Sequence, residues 1–133
     1  LFRSVLENRA ASILQMALGR VGGIWEAKKI AAMAEVFNAE LAPHLYAGPV
    51  EWAANIHFAT SIPNLLIAET IQTGGDFHLK LIKNTITFDD GYIIPPEAPG
   101  LGIDFDEDLA RAHPYTGTNL HLEMTNRPLR KEE

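Results

Sequence analysis

The sequence predicts an α/β fold in which short parallel strands alternate with helices. The first observation is that three short segments, at residues 12–17, 39–42 and 64–69, have the length of buried strands, although 39–42 is weak in strand propensity. The second is that two longer segments between them repeat apolar residues at helical intervals. The third is their order, strand-helix-strand-helix-strand, which requires right-handed crossovers and parallel strands.

The predicted helices are justified by their periodicity and their first residues. An amphipathic helix is predicted over 1–10, and a second over 24–38 directly after Gly22 and Gly23. A third is predicted from Pro49, whose missing N–H costs nothing in a first turn, and continues through the apolar-periodic residues 50–61. The apolar face of the second helix consists of Ile24, Ala27, Ala31, Ala34 and Phe37.

The character of the chain changes after residue 80. β-Branched and aromatic residues on both sides of Asp90-Gly91 predict a β-hairpin within 84–96. Residues 95–115, punctuated by proline and glycine, predict an extended segment lying over a surface. We therefore divide the chain into an α/β part at 1–80, a hairpin and extended part at 81–124, and a polar tail at 125–133.

Composition limits the partners of this chain. Its 133 residues include 11 basic and 17 acidic side chains, and the net charge of −6 argues against binding nucleic acid or an anionic membrane. There is no cysteine, which excludes disulfides and thiolate metal sites. No apolar run approaches the roughly 20 residues that span a bilayer. A cytoplasmic protein is expected.

His44 and Glu69 are the main candidate site residues. Each follows one of the predicted strands at its carboxyl end, and they lie 25 residues apart, the length of one strand-helix unit. In a parallel α/β fold these ends face the crevice where ligands bind, and neighbouring strands lie about 5 Å apart. An imidazole and a carboxylate could thus face one small substrate. Taken alone, the histidine is also consistent with a loop or capping residue.

Other polar groups leave alternatives open. An acidic stretch near residue 105 fits either a calcium loop or a solvated surface, and it lacks the glycine and distal glutamate of an EF-hand. His121 and Glu123 are two potential metal ligands without a third, so ordinary surface residues are the safer interpretation. Gly22 and Gly23 fit either an anion cradle or a tight turn. The acidic residues are Asp104, Asp106, Glu107 and Asp108.

Several ordered motifs carry a resemblance to a known family. They are the turn at 19–23, Ala-Pro-His ending at His44, Gly48-Pro49, and Ile-Pro-Asn at 62–64 leading to Glu69. Together with the tail at 88–108, they resemble the mandelate racemase and muconate lactonizing branch of the enolase superfamily, above all its galactonate-type sugar-acid dehydratases. The similarity covers residues 1 to about 124.

The resemblance implies that this chain is the last part of a TIM-type (β/α) barrel and the carboxyl-terminal portion of an enzyme. Such enzymes remove the proton α to a carboxylate and form an enediolate. In dehydratases this intermediate then loses water, whereas in racemases it does not. On the matching positions, His44 is the general base after the seventh strand, and Glu69, after the eighth, hydrogen-bonds the substrate carboxylate or enediolate. The substrate is an acid sugar or another hydroxy-carboxylate. The Mg²⁺ ligands lie on earlier strands, so no metal or other cofactor is expected on this chain.

One position departs from the family pattern. The family's histidine is oriented by an aspartate after the sixth strand, and the matching residue here is Ala17. Alanine can neither accept the imidazole N–H nor stabilise its charged form. The alternative function is therefore an inactive fragment or self-associating module that keeps only the scaffold. Because an open set of parallel strands leaves exposed edges, we expect a homo-oligomer.

Overall fold

The computed structural model describes residues 1–70, 77–84 and 86–114. Predictions that concern the polar tail at 125–133, and those for His121 and Glu123, lie outside the described residues. The helices and strands are, in chain order, α1 (Phe2–Glu7), β1 (Ile13–Leu14), α2 (Leu18–Val21), α3 (Ile24–Val36), β2 (Glu40–Leu41), α4 (Pro49–Thr60), α5 (Phe77–Lys80), β3 (Thr87–Asp89), β4 (Tyr92–Ile94) and α6 (Glu107–Ala112).

Helices α1, α3 and α4 confirm the three predicted helices. Helix α4 begins at Pro49, where a proline is expected, because the fixed φ of proline suits the first turn. Gly22 has φ 106° and Gly23 has φ 86°, so the two glycines make the left-handed turn between α2 and α3. This geometry supports the turn interpretation of the pair. Within the described ranges, no helix has the length and apolar character needed to cross a membrane.

Strands β1 and β2 are parallel, as predicted, but shorter than the segments 12–17 and 39–42. Residues 64–69 also lie beside β2 in parallel orientation, yet they pair with it at one position, Leu65 opposite Leu41. The Leu41 N–H donates to the Asn64 carbonyl and the Leu66 N–H donates to the Leu41 carbonyl, both at 2.8 Å. The predicted third strand is therefore in the predicted place without forming a ladder. In the described part of the chain, no strand supports it from its other side.

The main core fills the space between this small sheet and the helices. Leu41 of β2 is completely buried, and Leu14 of β1 is 3% exposed, so the strands turn one face to the helices. Burial of a leucine or phenylalanine side chain contributes about 1.5–3 kcal/mol, so each of these buried side chains stabilises the fold. The largest fully buried side chains are Phe58, Leu6, Leu18 and Leu41.

The predicted hairpin is confirmed. Strands β3 and β4 are antiparallel, with Thr87 opposite Ile94 and Asp89 opposite Tyr92. The two turn residues have positive φ, 44° at Asp90 and 82° at Gly91, as a type I′ turn requires. The rings of Trp52 on α4 and Phe88 on β3 lie 5.9 Å apart, so the hairpin packs on the last long helix.

The prediction that residues 95–115 are extended throughout is wrong, because α6 lies within them. Asp106 caps this helix: its Oδ1 accepts the Leu109 N–H at 2.9 Å. Glu107 and Asp108 follow in the first turn and Arg111 lies in the last, an arrangement that suits the helix dipole. Two further short helices, α2 and α5, were not predicted either.

Candidate functional site

His44 lies where the chain leaves β2. Backbone N–H groups of alternate residues on this strand donate to carbonyls beside β1: Ala42 to Leu14, and His44 to Met16, each at 3.0 Å. This alternation continues the parallel register beyond the two-residue strands. The continued register places His44 opposite Ala17 on the neighbouring strand.

Period-two alternation turns the His44 side chain away from the helices. Its neighbours Pro43 and Leu45 are both buried, whereas the His44 side chain is 37% exposed. Leu45 is 3% exposed and belongs to a second buried cluster with Trp52 and Ile56. The burial of both neighbours therefore fixes the backbone that carries the imidazole.

The structure brings Glu69 to His44, as the positions of the two residues at adjacent strand ends predict. Glu69 Oε2 accepts the Leu45 N–H at 2.7 Å, and the same oxygen lies 4.0 Å from His44 Nε2. A separation of 4.0 Å suits an ion pair with a protonated imidazole but is too long for a hydrogen bond. The Glu69 side chain is 41% exposed, so both groups are accessible to a small molecule.

Ala17 provides no polar side chain to this site. Its backbone begins α2, and its carbonyl accepts the Arg20 and Val21 N–H groups at 3.0 and 3.1 Å. Helix α2, which follows it, is held by Glu51 of α4, whose Oε1 accepts the Gly19 N–H at 3.0 Å. A methyl group thus occupies the place opposite the imidazole, at the start of a short helix that is itself held in position.

The acidic stretch near residue 105 has structural roles. Asp106 caps α6, and the Asp104 backbone bonds to the loop before the hairpin: its N–H donates to Asn84 Oδ1 at 2.7 Å, and its carbonyl accepts the Lys83 N–H at 2.8 Å. Within residues 1–70, 77–84 and 86–114, no three His, Asp or Glu side chains are grouped so that they could hold a metal ion. Mg²⁺ prefers six oxygen ligands in an octahedron, and in this part of the chain Glu69 is the carboxylate at the site. The described residues therefore do not fit a magnesium site.

One buried polar group was missed by the sequence reasoning. Asn55 on α4 is 6% exposed, and neither its Oδ1 nor its Nδ2 has a hydrogen-bond partner among the described residues. It lines a cavity of about 330 Å³ between α4, residues 65–70 and the hairpin, together with Trp52 and Glu69. The sequence signal for this buried group is a polar residue on an apolar helix face, because the helical period of α4 turns position 55 toward the core.

The fold and the site define this chain as part of a parallel α/β protein with a histidine and a carboxylate at adjacent strand ends. A family model described as Enolase C-terminal domain-like matches residues 1–109. The chain belongs to this family. The proposed branch is supported by solved structures of mandelate racemase/muconate lactonizing enzymes. One of these, from Sulfitobacter sp., is 68% identical with a TM-score of 0.84, and the match covers 96% of this chain and 32% of that one.

The curated relatives are sugar-acid dehydratases, among them enzymes named for galactonate, mannonate and xylonate. The D-galactonate dehydratase of Ralstonia pickettii is 42% identical over 114 residues, which are 81% of this chain and 30% of the relative. A solved enolase from Pantoea ananatis with bound D-gluconate and magnesium is 29% identical with a TM-score of 0.75, covering 86% of this chain and 28% of that one. The chain thus spans about a third of the length of its relatives.

These findings confirm the predicted fold class, an α/β portion of a TIM-type barrel, and the predicted superfamily and branch. The roles of His44 and Glu69 are not tested by them and stay predictions. The same holds for the division of the chain at residues 80 and 124.

Proposed function

We propose that this chain is the carboxyl-terminal part of an Mg²⁺-dependent sugar-acid dehydratase-like enzyme. The observation that carries the proposal is the approach of His44 Nε2 to Glu69 Oε2, 4.0 Å apart at the ends of neighbouring parallel strands. Relatives that are dehydratases of galactonate, mannonate and xylonate support an acid sugar as substrate. Because the described residues do not fit a magnesium site, we expect other residues of the proposed enzyme to hold its Mg²⁺.

His44 is the general base in this proposal. Its neutral imidazole takes the proton from the carbon next to the substrate carboxylate, and the C–H electron pair moves into the carboxylate to form an enediolate. The half-exposed position of the ring on the face away from the helices makes it reachable by a small substrate. The neighbouring hydroxyl then leaves as water with the proton that His44 removed, and the resulting enol rearranges to a 2-keto-3-deoxy acid.

In the substrate complex, Glu69 takes up one proton from water and holds the substrate carboxylate through this shared proton. Its Oε2 already accepts the Leu45 N–H, so Oε1 is the oxygen that faces the substrate. As negative charge grows on the enediolate, the shared proton moves toward it and Glu69 becomes a carboxylate. A hydrogen bond that strengthens where charge develops lowers the barrier rather than merely binding the substrate.

Exchange of the α-proton in D₂O tests this function. The full-length polypeptide that contains this chain is incubated with Mg²⁺ and D-galactonate, D-mannonate, D-xylonate or D-gluconate, and deuterium incorporation and 2-keto-3-deoxy acid are measured. We expect His44→Asn to lose exchange by about 10²–10⁴-fold, the usual range for a general base. Glu40→Gln, a change on the same strand, serves as the control that keeps activity.

The alternative is a scaffold without activity, and one observation favours it: the position opposite His44 holds Ala17. Full-length protein that is folded and binds an acid sugar but neither exchanges the α-proton nor forms a keto acid would establish this alternative. Exchange that is unchanged in His44→Asn would instead exclude His44 as the base.

A further inference from the structure

We propose that Glu69 is the charge partner of the His44 imidazolium in this chain. In this role it takes the place of the carboxylate that Ala17 cannot provide. Glu69 is then a positioning residue for His44 as well as a contact for the substrate. The inference rests on the proposed function in so far as His44 is the base.

Among the described groups around His44, Glu69 is the one that can act as the charge partner of the imidazolium. From the β1 side, the imidazole faces Ala17 and, one period earlier on the same face, Gln15, and neither carries a charge. On β2, Glu40 shares the face of His44 but lies four residues earlier, about 13 Å along an extended chain. Among the described residues, Glu69 is the acidic side chain within ion-pair distance of the ring.

The Glu69 carboxylate is held in place rather than free to rotate. Oε2 accepts the Leu45 N–H at 2.7 Å, and Leu45 is anchored by burial, with 3% of its surface exposed. The oxygen that is held in this way is also the one nearest His44 Nε2. Because the acceptor is fixed by the residue that follows His44, the carboxylate stays beside the imidazole.

The two roles of Glu69 coincide in the proposed reaction. When His44 takes the α-proton it becomes an imidazolium, and at the same moment the proton shared by Glu69 moves toward the enediolate. The negative charge that remains on Glu69 therefore appears when the positive charge on His44 appears. Each charge stabilises the other, and the number of protons at the site is unchanged.

The test is an NMR titration of the His44 ring in the purified chain, without substrate or metal. The ring nitrogens are followed against pH in the parent, Glu69→Gln and Glu40→Gln. Glutamine keeps an oxygen that can accept the Leu45 N–H, so Glu69→Gln removes the charge and preserves the loop. Partly exposed ion pairs contribute about 0.2–1 kcal/mol, so we expect Glu69→Gln to weaken proton binding to His44 by about 1.4- to fivefold.

Two controls separate a specific pair from the general field of an acidic protein. Glu40→Gln removes the same charge from the same strand and should leave the His44 titration unchanged. At 1 M salt the Debye length is about 3 Å, so the difference between parent and Glu69→Gln should disappear. If a variant fails to fold, the effect of salt on the parent chain tests the pairing, with the exposed His113 as the reference. Added salt should weaken proton binding at His44 more than at His113.

Coincident His44 titrations in the parent and Glu69→Gln, or an equal effect of Glu40→Gln, would overturn the proposal. This result is independent of the enzymatic assay. A chain that shows the pairing while the full-length protein is inactive contradicts the proposed function and keeps the pair. An active enzyme without the pairing leaves His44 as a base whose charge is not stabilised by Glu69.

Discussion

Replacing Asn55 with leucine should stabilise the chain. Asn55 is 6% exposed, and neither polar atom of its amide has a partner within the described residues. Burial of an amide without a hydrogen bond costs about 1–3 kcal/mol by mutational measurement. Leucine has a similar shape and carries no polar atom, and the adjoining cavity of about 330 Å³ leaves room for its branched end. We expect Asn55→Leu to raise the free energy of unfolding by about 1–2 kcal/mol.

The chain offers a matched control at Asn64. The Nδ2 of this residue donates to the carbonyls of Ala31 and Ala39, at 3.1 and 3.0 Å, and so connects α3 to the residue before β2. The same substitution, Asn64→Leu, removes both hydrogen bonds. We expect it to lower the free energy of unfolding by about 1–3 kcal/mol.

Urea unfolding followed by circular dichroism distinguishes the two variants, because their expected effects have opposite sign. In thermal unfolding, 1 kcal/mol corresponds to about 4 °C for a chain of this size. The reasoning is refuted if Asn55→Leu destabilises the chain as much as Asn64→Leu does. That result would mean that the Asn55 amide makes favourable contacts in solution.

Four further predictions follow from the same structure. Asp106→Ala removes the cap on the Leu109 N–H and should cost about 1 kcal/mol, whereas Asp106→Asn, which keeps an acceptor, should cost less in the same urea assay. Ala17→Asp places a carboxylate opposite His44 and should strengthen proton binding to the ring in NMR titration, and an unchanged ring would show that the register does not continue to residue 17. The purified chain should show neither dehydratase turnover nor tight Mg²⁺ binding by calorimetry, and keto acid formed by this chain would contradict that expectation. Exposed strand edges should drive self-association, and light scattering that gives a monomer mass at all concentrations would contradict this.

The elements that the sequence predicts well are those whose signals are local. Pro49 marks the start of α4 because proline lacks the N–H that a first turn does not need. Asp90-Gly91 predicts its turn because both residues tolerate positive φ. In each case the residue type restricts the backbone whatever surrounds it.

The features that the sequence does not predict depend on packing against other segments, or on residue patterns that fit more than one structure. The acidic residues at and before the start of α6 fit a solvated surface or a calcium loop as well as a helix start, so their pattern alone does not decide among the three. Residues 64–69 have a strand-like sequence, but whether they form a ladder depends on the strands that lie beside them, which no single segment encodes. The unpaired amide of Asn55 follows from the packing of three separate segments around it.

The sequence predicts where the candidate site residues lie, but not which contacts their side chains make. The sequence places His44 and Glu69 at the ends of adjacent strands, because strand ends can be estimated from apolar runs. It does not predict that Glu69 Oε2 bonds to the Leu45 N–H, because that contact depends on one side-chain rotamer. The same contact is what brings the carboxylate to 4.0 Å from the imidazole.

The surrounding solvent determines how strongly this pair can act. With side chains 37% and 41% exposed, His44 and Glu69 lie close to water on one side. Two unit charges 4 Å apart attract by about 1 kcal/mol in water and by about 4 kcal/mol at the effective dielectric constant of a protein surface. Covering the pair would therefore strengthen the attraction between the two charges without moving either residue, against the cost of removing both charges from water. This chain spans about a third of the length of its relatives, and in the proposed enzyme we expect the rest of the polypeptide to cover the pair, so that this chain provides the arrangement of base and partner and the cover strengthens their attraction.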